Sequence, residues 1–247
     1  SRTDIVVPKP QHELAEAVAK LGKPIVVVLR NGRALALEGA IRNAPAILIT
    51  WYLGTESGNS IADILYGAHS PSGRLPVSFP YDTGQLPLYY DRKRTGRPQP
   101  AGPRVDYKAQ FREVPTEALF PFGHGLTYGK VEYGTLHVSN TALPWNGFIE
   151  VSTTITNNGE RAIEEVAQFY IHDRTASITR PIRQLVAFRK VALAPGQTEK
   201  VSFRLQRSML EFYGRDNMLT VEPGLFDLWI APSAQAEGAK GQVNLIR

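Results

Sequence analysis

Two uninterrupted apolar runs, PIVVVLR at 24–30 and PAILITW at 45–51, limit the fold more than any other feature of the chain. A strand that alternates apolar and polar residues can face water on one side, whereas a strand apolar at every position needs cover on both. That is the situation of a parallel sheet between helices. QHELAEAVAKLG at 11–22 places Leu14, Val18 and Leu21 at helical spacing and stops at Gly22 ahead of Pro24. NGRALAL and a short segment at 38–43 separate the two runs. In TWYLGTESGNSIADILYGAHSPSGRLPVSFP, 50–80, Ser60 and Asp63 stand at capping-box spacing, Ile61, Ile64 and Leu65 form an apolar stripe, and Gly67 ends the helix. Gly73 and Pro76 then turn the chain into an edge strand, with Arg74 between them available to a carboxylate on a neighbouring element. Alternating helix and buried strand reads as an α/β layer, and 90 residues are few for a complete doubly wound domain.

From about residue 131 the pattern is all-β. VEYGTLHVS, GFIEVSTTITN, VAQFYIH, RQLVAFRKVAL, EKVSFRL and LFDLWIA alternate or run short and apolar, divided by NNGE, APGQ and EPG. Strands at this spacing read as a small β-sandwich of the immunoglobulin or fibronectin type III kind. Three regions follow: 1–90 as part of an α/β sandwich, 91–130 as an excursion and linker, and 131–247 as the β-sandwich.

The excursion carries most of the chain's charge. Between residues 91 and 115 seven bases face three acids, +4 of the formal net charge of +5. Pro98, Pro100, Gly102 and Pro103 deny it regular helix or sheet. It reads as a solvated basic loop, or as a contact for a subunit or substrate. The aromatic platforms and recognition helices of nucleic-acid binders are missing, so no nucleic-acid partner is expected. The apolar runs are also too short to span a membrane. Zero cysteines remove thiolate chemistry and Cys-based zinc sites, and the five histidines show no metal-binding pairing, so neither metal nor other cofactor is expected.

Three stretches together carry a family resemblance. TWYLGTESGNSIADILYGAHSPSGRLPVSFP, LFPFGHGLTY and RPIRQLVAFRKVALAPGQTEKVSF resemble successive signatures of the C-terminal half of glycoside hydrolase family 3, its bacterial β-glucosidases above all. The resemblance covers essentially the whole chain. It implies a three-part enzyme made of a (β/α)8-type barrel, an α/β sandwich and a fibronectin-like domain, of which this chain matches the end of the second part and all of the third. It implies a retaining, exo-acting β-glucosidase, with a β-xylosidase of the same family as the alternative within the enzyme class. A noncatalytic sugar- or protein-binding module is the alternative outside it. The nucleophilic aspartate would come from the upstream barrel, and the acid/base glutamate would fall just before Ser1. A periplasmic or secreted location is implied over a cytoplasmic one. In similar bacterial enzymes the excursion forms an active-site wall or a homodimer contact, which makes Tyr89, Tyr90, Arg94, Arg97 and Tyr107 the candidate contact residues.

No acid in the chain stands out as catalytic. Glu56 sits between a strand and a helix N-terminus, where the positive end of the helix favours the ionised form; it is expected to be a structural anion accepting backbone N–H bonds. Asp4 and Glu13 read as loop or surface groups. Trp51 reads as a core or interface residue, and His124 as a turn histidine bonded to backbone.

Overall fold

The computed structural model describes residues 3–94, 96–100 and 103–247. The chain divides into two compact units: Ser1–His69, Val77–Tyr89 and Gln110–Pro121 make the first, and Ser70–Pro76, Tyr90–Ala109 and Phe122–Arg247 the second.

In the first unit, helix α1 (Lys9–Ala19) carries Pro10 in its opening turn, where no backbone N–H is required, and the chain turns away at Gly22 with φ +66°. Strands β1 (Val26–Leu29) and β2 (Ala46–Ile49) pair in parallel, Val26 opposite Ala46 and Leu29 opposite Ile49. The short helix α2 (Gly39–Arg42) lies between them in sequence, and Glu16 of α1 accepts a hydrogen bond from Ala40 N–H at 2.7 Å, satisfying one of its free amides. Val7, Leu29, Leu37 and Ile41 form the core, with Ala15, Val27, Ile47 and Ile49 packed against it.

This unit departs from the sequence expectation in three places. Val26 and Val28 of β1 are exposed, as are Leu14 of α1 and Leu21 just after it, so the apolar run is not covered on both sides. Within the described residues the parallel sheet has only two strands, and two strands do not suffice to bury both faces. Helix α3 (Ser57–Leu65) starts three residues before Ser60, which leaves Ser60 and Asp63 in its interior; Gly67, φ +77°, does end it. The capping box is instead at the short 3-10 turn Thr83–Gln85, where Asp82 accepts from Gly84 N–H and the Gln85 carboxamide accepts from Asp82 N–H. Gln85 also donates to the Pro115 carbonyl at 2.7 Å, tying the two ends of a long detour together.

The second unit is a β-sandwich. Its strands are β3 (Val131–Tyr133), β4 (His137–Val138), β5 (Ala142–Pro144), β6 (Phe148–Asn157), β7 (Ile163–Asp173), β8 (Gln184–Leu193), β9 (Thr198–Gln206), β10 (Phe212–Tyr213), β11 (Leu219–Thr220), β12 (Gly224–Ala231) and β13 (Ala239–Ile246). One sheet runs β5-β13-β12-β7-β8; in the other, β6 pairs with β9 along one edge and with β3 and β4 along the other. Residues such as Val151, Ile155, Phe169, Val201, Leu228 and Val243 fill the space between them. The APGQ turn closes with Gln197 N–H donating to Ala194 and Gly196 at φ +73°, the left-handed position a Pro-Gly type II turn requires. Among the described residues no helix is long and apolar enough to cross a membrane.

β7 is buried on both faces through its middle. Ala167, Phe169 and Ile171 point into the sandwich core, and Gln168 and Tyr170 point the other way. The Gln168 carboxamide donates to the carbonyls of Gly123 and Pro232 and accepts from the Tyr170 hydroxyl at 2.6 Å. A Cβ on Gly123, φ +80°, would collide with that carboxamide. The core-facing row also holds Glu165, an acid at an otherwise apolar parity. It is paid for by Arg74, whose Nη2 lies 2.6 Å from Glu165 Oε2 with the two side chains 8% and 3% exposed, and by the Tyr133 hydroxyl, which donates to Oε1 at 2.9 Å. Burial, then the neighbouring Glu165 charge, pushes the Tyr133 phenol far above its ordinary value, so it stays a donor. The Ser70–Pro76 segment is not a strand: Leu75 donates to the His124 carbonyl and accepts from Gly123 N–H, an extended pairing that seats Arg74.

Two outcomes follow from this cluster. Glu165→Ala leaves a guanidinium buried without its counter-charge and is expected to lower stability by about 3–5 kcal/mol, whereas the double change Arg74→Met with Glu165→Leu is expected to recover most of that loss, both read from urea unfolding. Burial, then the Arg74 charge, holds the His124 imidazole below its ordinary 6.5. The unfolded chain therefore takes up a proton that the folded chain resists. That contribution is complete above pH 6.5 and is lost as pH falls through the depressed folded value, so His124→Gln is expected to flatten the fall in urea midpoint below 6.5.

Candidate functional site

The basic excursion is rooted by packing and left open at its tip. At the root, Tyr90 stacks on Phe122 with ring centroids 4.1 Å apart and 15° between planes, and meets Tyr170 edge-on at 6.4 Å. Its hydroxyl accepts from Leu185 N–H at 3.3 Å, and burial raises the phenol above its ordinary value. These rings cover the outward face of β7. The chain then pairs with the loop between β7 and β8: Lys93 bridges Pro181, and Ile182 N–H donates to the Arg92 carbonyl at 3.0 Å. A second bridge, Pro98 to Ala109, closes the loop, with Ala109 N–H donating to the Arg97 carbonyl at 2.7 Å. Inside it, Gln99 donates to the Pro103 carbonyl and accepts from Val105 N–H. No helix or regular strand forms among the described residues of this stretch, as its prolines require.

The five candidate contact residues are thus separated by role. Tyr90 is a root residue whose ring and hydroxyl are both engaged by the sandwich. Arg94 and Arg97 are exposed on the basic limb, and Tyr107 is exposed at the far side of the closed loop, with φ +62°. A left-handed conformation in a tyrosine carries strain that its neighbours have to hold. Tyr89, also exposed, falls in the first unit. Tyr90–Ala109 places six bases against two acids, so the loop offers an anion- or hydroxyl-binding surface of guanidinium forks and one phenol.

The acids occupy structural positions. Glu56 caps nothing with its side chain and accepts from the Asn59 carboxamide at 2.6 Å; the expected backbone N–H bonds are not made, because the carboxylate turns along the first turn of α3 instead of over its end. Asp4 accepts from the Thr83 hydroxyl, and Glu13 lies 3.7 Å from Lys9. Burial holds the Asp173 carboxyl above its ordinary value, and the nearby Glu222 charge adds a smaller push in the same direction. However, Asp173 is 5% exposed, and each carboxylate holds a loop amide, Thr175 N–H on Asp173 and Ser177 N–H on Glu222. A buried carboxylate and a neighbour that both clamp one loop are not placed to straddle a sugar acetal. Trp51, two residues past β2, is half-buried with φ +53°, its ring 6.0 Å from buried Phe79.

Sequence reading missed the loop between β7 and β8 as the support of the excursion. The SITRPIRQ stretch held a signal, since two arginines beside a proline between strands need acceptors for their guanidiniums. The Arg183 acceptors lie up to 53 positions away, beyond the reach of local pattern.

Comparison with known proteins agrees with this architecture. The Glycosyl hydrolase family 3 C-terminal domain matches residues 1–128, and the Fibronectin type III-like domain matches residues 165–234. A periplasmic beta-glucosidase of Salmonella typhimurium is 41% identical over 230 residues, 93% of this chain and 30% of its own length. A beta-xylosidase of Formosa agariphila is 39% identical, over 97% of this chain and 32% of its own. Among solved structures, a beta-glucosidase from Listeria innocua in complex with glucose superposes with a TM-score of 0.91 at 39% identity, covering 98% of this chain and 33% of its own. The chain thus spans 30% to 33% of the length of these three relatives. With a family domain over more than half its residues and the fibronectin-like sandwich behind it, this chain belongs to glycoside hydrolase family 3, as a C-terminal portion of such an enzyme.

Proposed function

We propose that this chain works as part of an exo-acting, retaining β-glucosidase that removes terminal β-D-glucosyl residues, with both catalytic carboxyl groups supplied from outside the chain. One observation carries the reading: the chain is matched over 93% of its length by a periplasmic beta-glucosidase of which it covers only 30%. A retaining glycosidase needs a nucleophilic carboxylate and a protonated carboxyl about 5 Å apart across the scissile bond. The acids described above are engaged with lysine, arginine, hydroxyl or amide partners in holding the fold. The exposed apolar face of β1 and α1 supports an upstream (β/α)8 barrel and the rest of the α/β sandwich as the missing cover.

In this reading the excursion lines the substrate entrance or a homodimer contact. Arg94 and Arg97 donate to sugar hydroxyls or to a partner's carboxylates, Tyr107 and Tyr89 present ring faces, and Tyr90 fixes the root. The name of the Salmonella relative supports a periplasmic setting. A β-xylosidase is the second reading, favoured by the Formosa relative at 39% identity; the residues that select the sugar ring would lie upstream.

Residues 1–247 alone are expected to release no nitrophenol from p-nitrophenyl β-D-glucopyranoside above the buffer rate, while the full-length enzyme turns it over. Turnover by the isolated chain at a glycosidase rate would contradict the proposal. Arg94→Ala with Arg97→Ala in the full-length enzyme is expected to raise KM by about tenfold, as for loss of charged hydrogen bonds, or to shift the sedimentation coefficient. Unchanged kinetics and sedimentation would leave the excursion a solvated loop.

A further inference from the structure

The loop at 174–183, between β7 and β8, contributes little to the hydrophobic core, yet polar side chains from four other elements pin it. At its start Asp173 accepts from Thr175 N–H, and Arg174 pairs with Asp227 of β12 at 2.9 Å. In its middle Ser177 is held from both sides: its N–H donates to Glu222 at 2.8 Å, and its carbonyl accepts from Arg215, in the turn between β10 and β11, at 3.1 Å. Arg180 lies over the Phe212 ring at 4.3 Å and donates to Gln184. Arg183 lies over Trp229 at 4.4 Å and donates to the carbonyls of Ala234 and Ala236. Between these pins stands Pro181, whose carbonyl lies 2.6 Å from His172 Nδ1. A carbonyl can only accept, so Nδ1 carries the proton in either charge state of the ring. Pro181 and Ile182 are in turn the residues on which the excursion rests, through Lys93 and Arg92.

We infer that His172 is a positioning residue for the substrate-contacting arginines: by fixing the Pro181 carbonyl it sets the height and direction at which Arg94 and Arg97 leave the sandwich. This deepens the reading of the excursion as a substrate wall and rests on it. One hydrogen bond separates His172 from the pedestal, and Lys93, which bridges Pro181, directly precedes Arg94 at the start of the basic limb. A shift at Pro181 is therefore passed through the Lys93 bridge to the backbone of Arg94. An imidazole that served packing alone would have no need of a carbonyl adjoining the bridge.

The test uses the full-length enzyme with His172→Ala, His172→Asn and Arg97→Ala. Asparagine keeps an N–H donor near the place of Nδ1. With p-nitrophenyl β-D-glucopyranoside, His172→Ala is expected to raise KM about fivefold with kcat within about twofold, and His172→Asn to restore most of the difference. In limited trypsin digestion, cleavage after Lys93, Arg94, Arg104 or Lys108 is expected to speed up about fivefold in His172→Ala, with cleavage elsewhere unchanged. Unchanged cleavage overturns the inference. So does faster cleavage with unchanged KM while Arg97→Ala still raises KM. If neither variant moves KM, the substrate-wall reading falls, and the positioning role falls with it.

Discussion

The structure of the sandwich depends on one strand being buried on both sides. In a two-sheet sandwich, a strand of either sheet ordinarily turns one face to the core and the other to water. β7 instead has Phe169 and Ile171 inside and Gln168 and Tyr170 covered from outside. Polar groups placed there need partners, and the chain supplies them from outside the strand ladder: Gly123 and Pro232 for Gln168, the Tyr90–Phe122 stack for Tyr170, and Arg74 with Tyr133 for Glu165. This is why Ser70–Pro76 and Tyr90–Ala109, which flank α/β sequence, group with the sandwich. The basic excursion is consequently a loop on a fixed root.

Cleaving a glycosidic bond sets a second constraint, one that the sandwich does not answer. Protonation of the leaving oxygen and attack at the anomeric carbon call for two carboxyl groups in distinct states, facing one another across an open site. The buried acids Glu165 and Asp173 are committed elsewhere, Glu165 to a guanidinium and a phenol and Asp173 to a loop amide, and the half-buried Glu222 also holds a loop amide. In the proposed reading, what the chain offers toward substrate is positive charge and aromatic surface on a rooted loop. That suits binding and orientation, which account for much of the barrier reduction when chemistry is supplied from another part of the same enzyme.

Much of this was legible in the sequence, and the failures have physical causes. The six β-segments named from turn chemistry and alternation all form strands. β13 went unread because AKGQVNLI, 239–246, is broken by Gly241 and polar residues, although Val243 and Leu245 keep strand parity. Arg74 was read as able to hold a carboxylate and does, but the identity of the carboxylate depends on a partner 91 residues away. The apolar runs promised cover that two strands cannot give, since periodicity reports what a strand needs and not what is present to meet it. The capping box was placed at Ser60 when the helix begins at Ser57, because the polar TESGNS stretch marks a start without fixing its register. For the site, composition correctly singled out the excursion as irregular and exposed. It could not separate Tyr90, which is packed, from Arg94 and Arg97, which are open.

The most direct measurement is covalent trapping. A retaining enzyme exposed to a 2-deoxy-2-fluoro-β-D-glucosyl inactivator accumulates a glycosyl ester on its nucleophile, because the intermediate forms faster than water clears it. Digestion and mass spectrometry of the inactivated full-length enzyme are expected to find that ester on an acid outside residues 1–247. An ester on any Asp or Glu of this chain would contradict the central claim.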